Sequence, residues 1–283
     1  MGRVGIVCDS TCDVGPQWLQ EHGVDMVPLK VLFGDETYLD GVDLTPAAFY
    51  EKLAKATELP KTSQPSPAEF SAAYQKLADE GCTGIVSIHL TAALSGTIES
   101  ATMAAASASI PVRVVDTLLV SIAEALVIRA AVTARDAGSD LDAVEAAARY
   151  AAEHCRLLFA LDTLDYLVKG GRAGKAQGLA ASVLNIKPVL TFNGEGIIEP
   201  FKKAKGTKKA IAEIAAQAAH DSAKGRISVG ILSSQAPDLV DELKAALDAA
   251  GADYDLAFVS EVGAAIGTYA GPRAVGVAYY PLP

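Results

Sequence analysis

The chain has 283 residues, of which 51% are hydrophobic and 20% charged, and its formal net charge is −10. This length suggests two domains with substantial cores, and the composition excludes a disordered chain. A nucleic-acid binder needs a basic surface, so the acidic balance argues against that class.

The first half of the chain alternates strand-like and helix-like segments. Strands are predicted at residues 4–8, 24–33, 84–89 and 112–115, and helices at 45–57, 68–80, 96–107, 123–137 and 140–153. Thr45 followed by Pro46 is typical of a helix N-terminus, whereas the prolines of segment 61–67 predict a loop. This alternation predicts a mostly parallel sheet with helices on both faces.

The second half has a different pattern. Helices are predicted at residues 161–168, 174–184, 207–223 and 238–250, and strands at 186–192, 197–203, 227–232, 255–259 and 274–280. Asn193-Gly194 between two of these strands is a strong hairpin signal and indicates a mixed or antiparallel sheet. We therefore predict an α/β protein of two domains, residues 1–157 and 158–283.

The sequence shows no pattern typical of a targeting segment, a membrane span or a metal site. The N-terminus runs directly into a strand-like segment, and no apolar segment reaches membrane-spanning length. The four cysteines are too scattered for a disulfide scaffold or a metal site. We expect a cytoplasmic protein with reduced thiols, no stable membrane insertion and no metal.

Three polar loops of the first half follow predicted strands: Asp9-Ser10-Thr11, Ser95-Gly96-Thr97 and Asp116-Thr117. Loops at the carboxyl ends of parallel strands line one crevice, where ligands usually bind, and Thr62-Ser63 could join them. Each hydroxyl could instead cap the helix that follows, and this is the favoured interpretation for Asp116 and Thr117. For Ser95 both interpretations stay open, because Gly96 would let a ligand approach the backbone closely.

Ser95 does not match a hydrolase nucleophile. The esterase motif requires Gly-x-Ser-x-Gly, but Ala93 and Thr97 occupy the glycine positions. None of the four histidines has a recognisable companion, so each is expected to be structural or exposed.

The glycine-rich segment 170–175 is not a phosphate loop, because Lys169 and Ala176 stand where the Walker pattern needs glycine and a hydroxyl. No Gly-x-Gly-x-x-Gly follows the first strand, so NAD is not expected either. Arg172 could cap the preceding helix, or its flanking glycines could let it reach an anion or a partner's carboxylate.

Five short motifs occur in order along the chain: CDSTCDV at residues 8–14, TSQPS at 62–66, LSGT at 94–97, LDYLVKGGR at 164–172 and LNIKPVL at 184–190. Together they resemble the DegV family of bacterial fatty-acid-binding proteins, over nearly the whole chain. The resemblance implies two α/β domains and a long-chain fatty acid bound between them or within the second. It also implies a lipid-presenting subunit without cofactor or catalysis of its own. A separate kinase would use ATP to phosphorylate the carboxyl group.

By the same resemblance, Thr62, Ser63 and Ser95 would contact the carboxylate, with Gly96, Thr97 and Tyr269 in the same site. Arg172 would lie at the ligand mouth or at the surface that docks the kinase.

One motif departs from the family pattern. The family usually has Thr-His-x-Gly-Pro-Gly where this chain has Thr268-Tyr269-Ala270-Gly271-Pro272-Arg273. Tyrosine can donate to a carboxylate but cannot act as an imidazolium, and Arg273 adds bulk and charge.

Two alternative functions are a small-ketone enzyme and a fatty-acid sensor. A dihydroxyacetone-kinase-like enzyme for a small ketone would need a histidine to capture the carbonyl and acidic ligands for Mg²⁺-ATP, and the sequence indicates neither. A regulatory protein that senses fatty acid would share the ligand but not the kinase.

Overall fold

The computed structural model describes residues 2–179 and 186–282, with only the backbone of Ile186 described. The strands are β1 (Arg3–Asp9), β2 (Val24–Val27), β3 (Lys30–Phe33), β4 (Glu36–Leu39), β5 (Lys61–Ser63), β6 (Cys82–His89), β7 (Val112–Asp116), β8 (Arg156–Ala160), β9 (Ile186–Phe192), β10 (Ile198–Lys205), β11 (Ile227–Ser233), β12 (Tyr254–Glu261) and β13 (Val275–Pro281). The helices are α1 (Pro16–Glu21), α2 (Pro46–Lys55), α3 (Pro67–Asp79), α4 (Thr97–Ala105), α5 (Ile122–Asp136), α6 (Leu141–His154), α7 (Asp165–Lys169), α8 (Thr207–Ser222), α9 (Pro237–Ala249) and α10 (Ala264–Ala270). Short 3-10 helices span Ser10–Cys12 and Gly174–Leu179.

The first sheet is parallel throughout, in the order β2-β1-β6-β7. Successive residues of a strand point to opposite faces, so Val7 packs with Phe70 of α3, whereas Ile6 belongs to the core of α5 and α6. The predicted parallel sheet with helices on both faces is confirmed.

The second sheet has the order β10-β9-β8-β13-β11-β12, and its described pairs are antiparallel except for β11 with β12. Leu158 and Ala160 pack on the face covered by α8 and α9. Leu157 and Phe159 alternate with them and point toward the first half of the chain. The predicted mixed sheet is confirmed, and its inward face is available to line a site.

Two chain segments that contribute strands to the small sheet β4-β3-β5 were predicted wrongly. The segment 24–33 is two strands in different sheets, because Pro28 interrupts it and cannot donate a hydrogen bond to a ladder. Segment 61–67 is not wholly a loop, since Lys61–Ser63 pairs with β3 before the prolines end the strand.

Several second-half predictions need correction. The helix predicted at 161–168 begins at Asp165, and the one predicted at 174–184 is a 3-10 helix over Gly174–Leu179, its remainder lying outside the described residues. β8 and α10 of the second half were not predicted at all, and neither were α1 and β4 of the first half. In α10 Gly267 weakens the helical propensity, and the small residues weaken the apolar periodicity on which prediction depends.

β8 and all the strands that follow it in the described chain belong to the second sheet. The domain division at residue 157 stays a prediction. Within the described chain, Cys8, Cys12, Cys82 and Cys155 are free thiols. No described helix combines the length and apolar character needed to cross a membrane.

Candidate ligand-binding site

A cavity that opens to solvent lies between the inward face of the second sheet and the first half of the chain. The empty space within the cavity and its opening is about 910 Å³. The second sheet contributes five residues to the lining of the cavity: Ile198, Phe192, Leu157, Phe159 and Leu232. They extend from β10 to β11 across four strand spacings, or about 19 Å. The cavity is therefore a long apolar trough.

Five partly exposed polar residues line the cavity where it opens: Thr62, Gln64, Ser95, Arg172 and Tyr269. We call this set the mouth. Arg172 is the one charged residue among the described residues that line the cavity. An anionic head group would therefore find its charge partner at the mouth and not along the trough.

The mouth residues come from four segments that contact one another in a ring. The Thr62 and Tyr269 hydroxyls share a hydrogen bond of 2.6 Å, and the Arg172 guanidinium lies 5.0 Å from the centroid of the Tyr269 ring. Arg172 Nε also donates to the carbonyl of Leu94, next to Ser95, at 3.4 Å. The ring closes where Gly96 meets Gln64.

Strand geometry separates Thr62 from Ser63. Thr62 pairs with Val31 of β3 and directs its hydroxyl to Tyr269. Ser63, the next residue, is exposed and donates to the carbonyl of Gln64. It does not line the cavity, so the structure places it outside the cluster in which the sequence predicted it.

The N-terminus of α4 positions Ser95. The Thr97 N–H donates to Ser95 Oγ at 3.3 Å, and the two hydroxyls lie 2.9 Å apart. If the Thr97 hydroxyl donates to Ser95, the Ser95 proton is left for a ligand. Thr97 itself is fully buried behind Ser95 and does not line the cavity, contrary to the predicted grouping.

Gly96 allows the close approach of Gln64. A Cβ at position 96 would lie 2.8 Å from Gln64 Nε2, so this glycine leaves room for the amide at the mouth. Gln64 was not among the predicted site residues. Its only sequence signal was its place in the TSQPS motif.

Arg172 both caps the preceding helix α7 and reaches the mouth of the cavity. Its Nη1 donates to the carbonyl of Gly170, the C-terminal cap of α7, at 3.0 Å, and its guanidinium stacks on Tyr269. A Cβ at Gly170 would come within 2.4 Å of the Tyr269 ring, so the glycine makes room for the stack. Arg273, by contrast, pairs with Asp238 at 2.8 Å and does not line the cavity.

Two buried carboxyl groups of the first half hold the start of α10, the helix that carries Tyr269. Asp13 accepts the Gly263 N–H at 2.8 Å, and Asp40 accepts the Ala264 N–H at 3.0 Å and the Ser10 hydroxyl at 2.8 Å. Burial raises the pKa of Asp13 well above its ordinary value and that of Asp40 to about 6.

A pH dependence of stability follows from Asp40. In the unfolded chain its carboxyl titrates near pH 4, whereas in the folded protein it titrates near pH 6. Between these values the folded state binds more protons, so the free energy of unfolding should fall by about 2 kcal/mol as pH rises from about 4 to about 6. Urea unfolding of the protein and of Asp40→Asn across this range checks the effect. The variant should decline less steeply, because Asp13 still contributes, and parallel curves would contradict the role of Asp40.

A buried Asp9–His89–Ser87 chain went unpredicted. His89 Nδ1 lies 3.0 Å from Asp9, and Nε2 lies 2.6 Å from Ser87, which also contacts Tyr74 at 2.9 Å. These partners meet because β1 and β6 pair in parallel. His89 and Ser87 are fully buried and do not line the cavity, so His89 is structural, as expected.

Asp116 and Thr117 are also structural, but they tie loops together and do not cap a helix. Asp116 accepts the N–H groups of Ala92 and Leu118, and Thr117 donates to the carbonyl of His89. Among the described residues no group of three or more His, Cys, Asp or Glu side chains is arranged to hold a metal ion.

Fold and cavity together define an α/β protein with two main sheets, a small third sheet and an apolar cavity between the two main sheets. The family model described as an uncharacterised protein of the DegV family matches residues 3–282. The chain belongs to the DegV family.

Individual relatives match over nearly their full length. A DegV domain-containing protein of Streptomyces coelicolor is 39% identical over 97% of both chains. A Thermotoga maritima protein named as a fatty acid-binding protein is 33% identical over 97% of this chain and 96% of its own. A DegV family protein of Thermus thermophilus, whose structure is described as showing fatty acid binding, superposes with a TM-score of 0.92 at 35% identity, covering 99% of this chain and 100% of its own.

Proposed function

We propose that the chain binds a long-chain fatty acid, with the carboxylate at the mouth and the acyl chain along the trough. The observation that carries this proposal is the distribution of polarity. One cation and several hydroxyls stand at one opening of a cavity whose sheet side is apolar over about 19 Å. The naming of DegV relatives as fatty-acid-binding proteins supports the same ligand class.

The acyl chain supplies most of the affinity. Burying a tail of about sixteen carbons gains about 0.8 kcal/mol per CH₂, or roughly 11 kcal/mol before association and ordering losses. The head group therefore needs orientation more than tight binding.

Neutral hydroxyls suit that task. Thr62 and Tyr269 share one hydrogen bond, so one of their two protons is left to donate to a carboxylate, and Ser95 can supply another. A bidentate arginine would draw charge from the oxygen that attacks phosphorus. Two of the Arg172 nitrogens donate to backbone carbonyls, so Arg172 is suited to shaping the mouth and to docking a partner.

The protein then presents the carboxyl group, in the cytoplasm, to a separate kinase that forms the acyl phosphate with ATP. It contributes no catalytic group and no cofactor of its own. A small-ketone enzyme is a poorer fit, because a long apolar trough does not suit a small polar ligand and His89 is bonded within the core.

Two measurements test this function. Solvent extraction and mass spectrometry of the purified protein should recover long acyl chains from the expression host. Reconstitution with ATP and a DegV-partner fatty acid kinase should then convert the bound acid to an acyl phosphate. Lipid without kinase turnover would favour a sensor, and absence of lipid together with failure to bind added fatty acid would contradict the proposal.

Ser95→Ala should weaken fatty acid binding about 10- to 150-fold, because a hydrogen bond to a charged group contributes about 1.5–3 kcal/mol. Acyl-phosphate formation should fall at least as much. Calorimetric titration of the delipidated protein measures the affinity, with Ser63→Ala as the matched control, since that hydroxyl lies outside the cavity. Unchanged affinity and turnover in Ser95→Ala would show that Ser95 does not hold the carboxylate.

A further inference from the structure

Two hydroxyl side chains, Thr11 and Ser121, line the cavity away from its mouth. We call them the inner polar pair. Each is 1% exposed. The described lining residues outside the mouth, Gly96 and this pair are all aliphatic or aromatic. Polar atoms in such a wall favour a ligand that brings a matching hydrogen-bonding group.

The inner polar pair lies beside the start of α10, whereas the mouth lies beside its end. Ser121 donates to Asp13, which also accepts the N–H of Gly263 immediately before α10. Tyr269 follows six residues later, about 9 Å along a helix. An acyl chain anchored at the mouth would therefore pass the pair partway along its length.

Thr11 has one hydroxyl proton but two carboxyl neighbours. Its Oγ1 lies 2.5 Å from Asp9 Oδ1 and 2.9 Å from Glu124 Oε2. One proton serves one of these bonds, so the other needs a proton from a carboxyl group. Glu124 meets that need, because burial raises its pKa well above the ordinary value. Thr11 then donates to Asp9, accepts from Glu124 and keeps one acceptor position free.

The hydroxyl proton of Ser121 is also used in a hydrogen bond within the protein. Its hydroxyl donates to Asp13, and its φ of +59° is uncommon for a serine. Both hydroxyl protons of the pair therefore point toward carboxyl groups behind the cavity wall. The ligand meets two oxygen acceptors.

Four buried carboxyl groups stand behind the pair: Asp9, Asp13, Asp40 and Glu124, each at most 8% exposed. An additional carboxylate at this position would find no donor and would be repelled by the ionised members. A hydroxyl group is neutral and can donate to either oxygen.

We propose that the inner polar pair is a subsite for a hydroxyl group carried in the middle of the acyl chain, so that the cavity accepts mid-chain hydroxy fatty acids. The inference rests on the proposed function, because it requires an acyl chain in the trough. A hydroxyl at another carbon would be buried against apolar side chains without a partner, so its position decides the affinity.

Positional isomers of hydroxystearic acid, titrated into the delipidated protein with stearic acid as reference, test this subsite. One position, or two adjacent ones, should bind within about threefold of stearic acid, and the other isomers should bind roughly 5- to 150-fold more weakly. An equal loss at every position would overturn the subsite alone, since stearic acid would still bind. Failure of stearic acid itself to bind would overturn both proposals.

Two controls identify the hydrogen bond. At the preferred carbon an oxo group accepts but cannot donate, so the oxo acid should bind about tenfold more weakly than the hydroxy acid. Ser121→Ala should reduce the preference for that isomer over stearic acid about 2- to 10-fold. Ser100→Ala, a buried serine of α4 outside the described lining, is the matched variant.

An oxo acid that binds as tightly as the hydroxy acid would contradict the subsite, as would an isomer preference unchanged in Ser121→Ala. The oxo comparison uses the unaltered chain, so it decides the question even if the variant fails to fold.

Discussion

Ala274→Trp should abolish the binding of long-chain fatty acids. Ala274 is 1% exposed and lines the trough, so an indole at this position would occupy space that the acyl chain needs. Excluding about five methylene groups from burial corresponds to an affinity loss of about 1,000-fold. Mass spectrometry of the purified variant should find no long acyl chain, and calorimetric titration should detect no long-chain binding.

The control for this variant is Ala72→Trp, which places the same side chain on an exposed position of α3. It should keep its lipid and its affinity. Thermal unfolding of Ala274→Trp separates a blocked cavity from a misfolded protein. A folded Ala274→Trp that still carries a full complement of long acyl chain would show that the chain does not lie along this face of the sheet.

Asp9→Ala should lower the free energy of unfolding by about 3–5 kcal/mol, because each buried donor left without a partner costs about 1–3 kcal/mol. Asp9 is fully buried and accepts hydrogen bonds from the N–H and hydroxyl of Thr11, the N–H of Leu90 and the His89 ring. Its removal leaves these donors without their acceptor in a part of the core that water does not reach.

Urea unfolding measures this effect, and Asp35→Ala is the matched control. Asp35 is exposed in the turn between β3 and β4, so its loss should change the free energy of unfolding by no more than about 0.5 kcal/mol. Because Thr11 and Leu90 both line the cavity, Asp9→Ala should also weaken ligand binding. A loss of stability below about 1 kcal/mol would mean that the donors find other acceptors.

Local patterns were sufficient for the main elements of both sheets. The Thr45-Pro46 pair begins α2 as predicted, with Thr45 accepting the Ala48 N–H at 3.3 Å. Asn193-Gly194 lies in the turn between β9 and β10, where the Asn193 N–H donates to the Ile197 carbonyl. These signals succeed because turn and capping preferences arise within a few residues.

The candidate site was only partly predictable. Thr62, Ser95, Gly96, Arg172 and Tyr269 do line one cavity. Their roles toward a ligand remain predictions. Ser63 and Thr97 share the same motifs but fall outside the lining, because a strand alternates its faces and a helix buries one side.

The sequence alone determined the alternation of strands and helices, the parallel first sheet and the mixed second sheet, because those follow from local periodicity and turn chemistry. Only the tertiary structure decided which hydroxyls meet. Thr62 reaches Tyr269 across 207 positions, and Thr11 reaches Glu124 across 113. Such pairs depend on how sheets and helices pack, and no pattern within a few residues encodes that packing. The helix α10 shows this most clearly: its weak sequence pattern hid it, and its start is held by Asp13 and Asp40 from the other half of the chain.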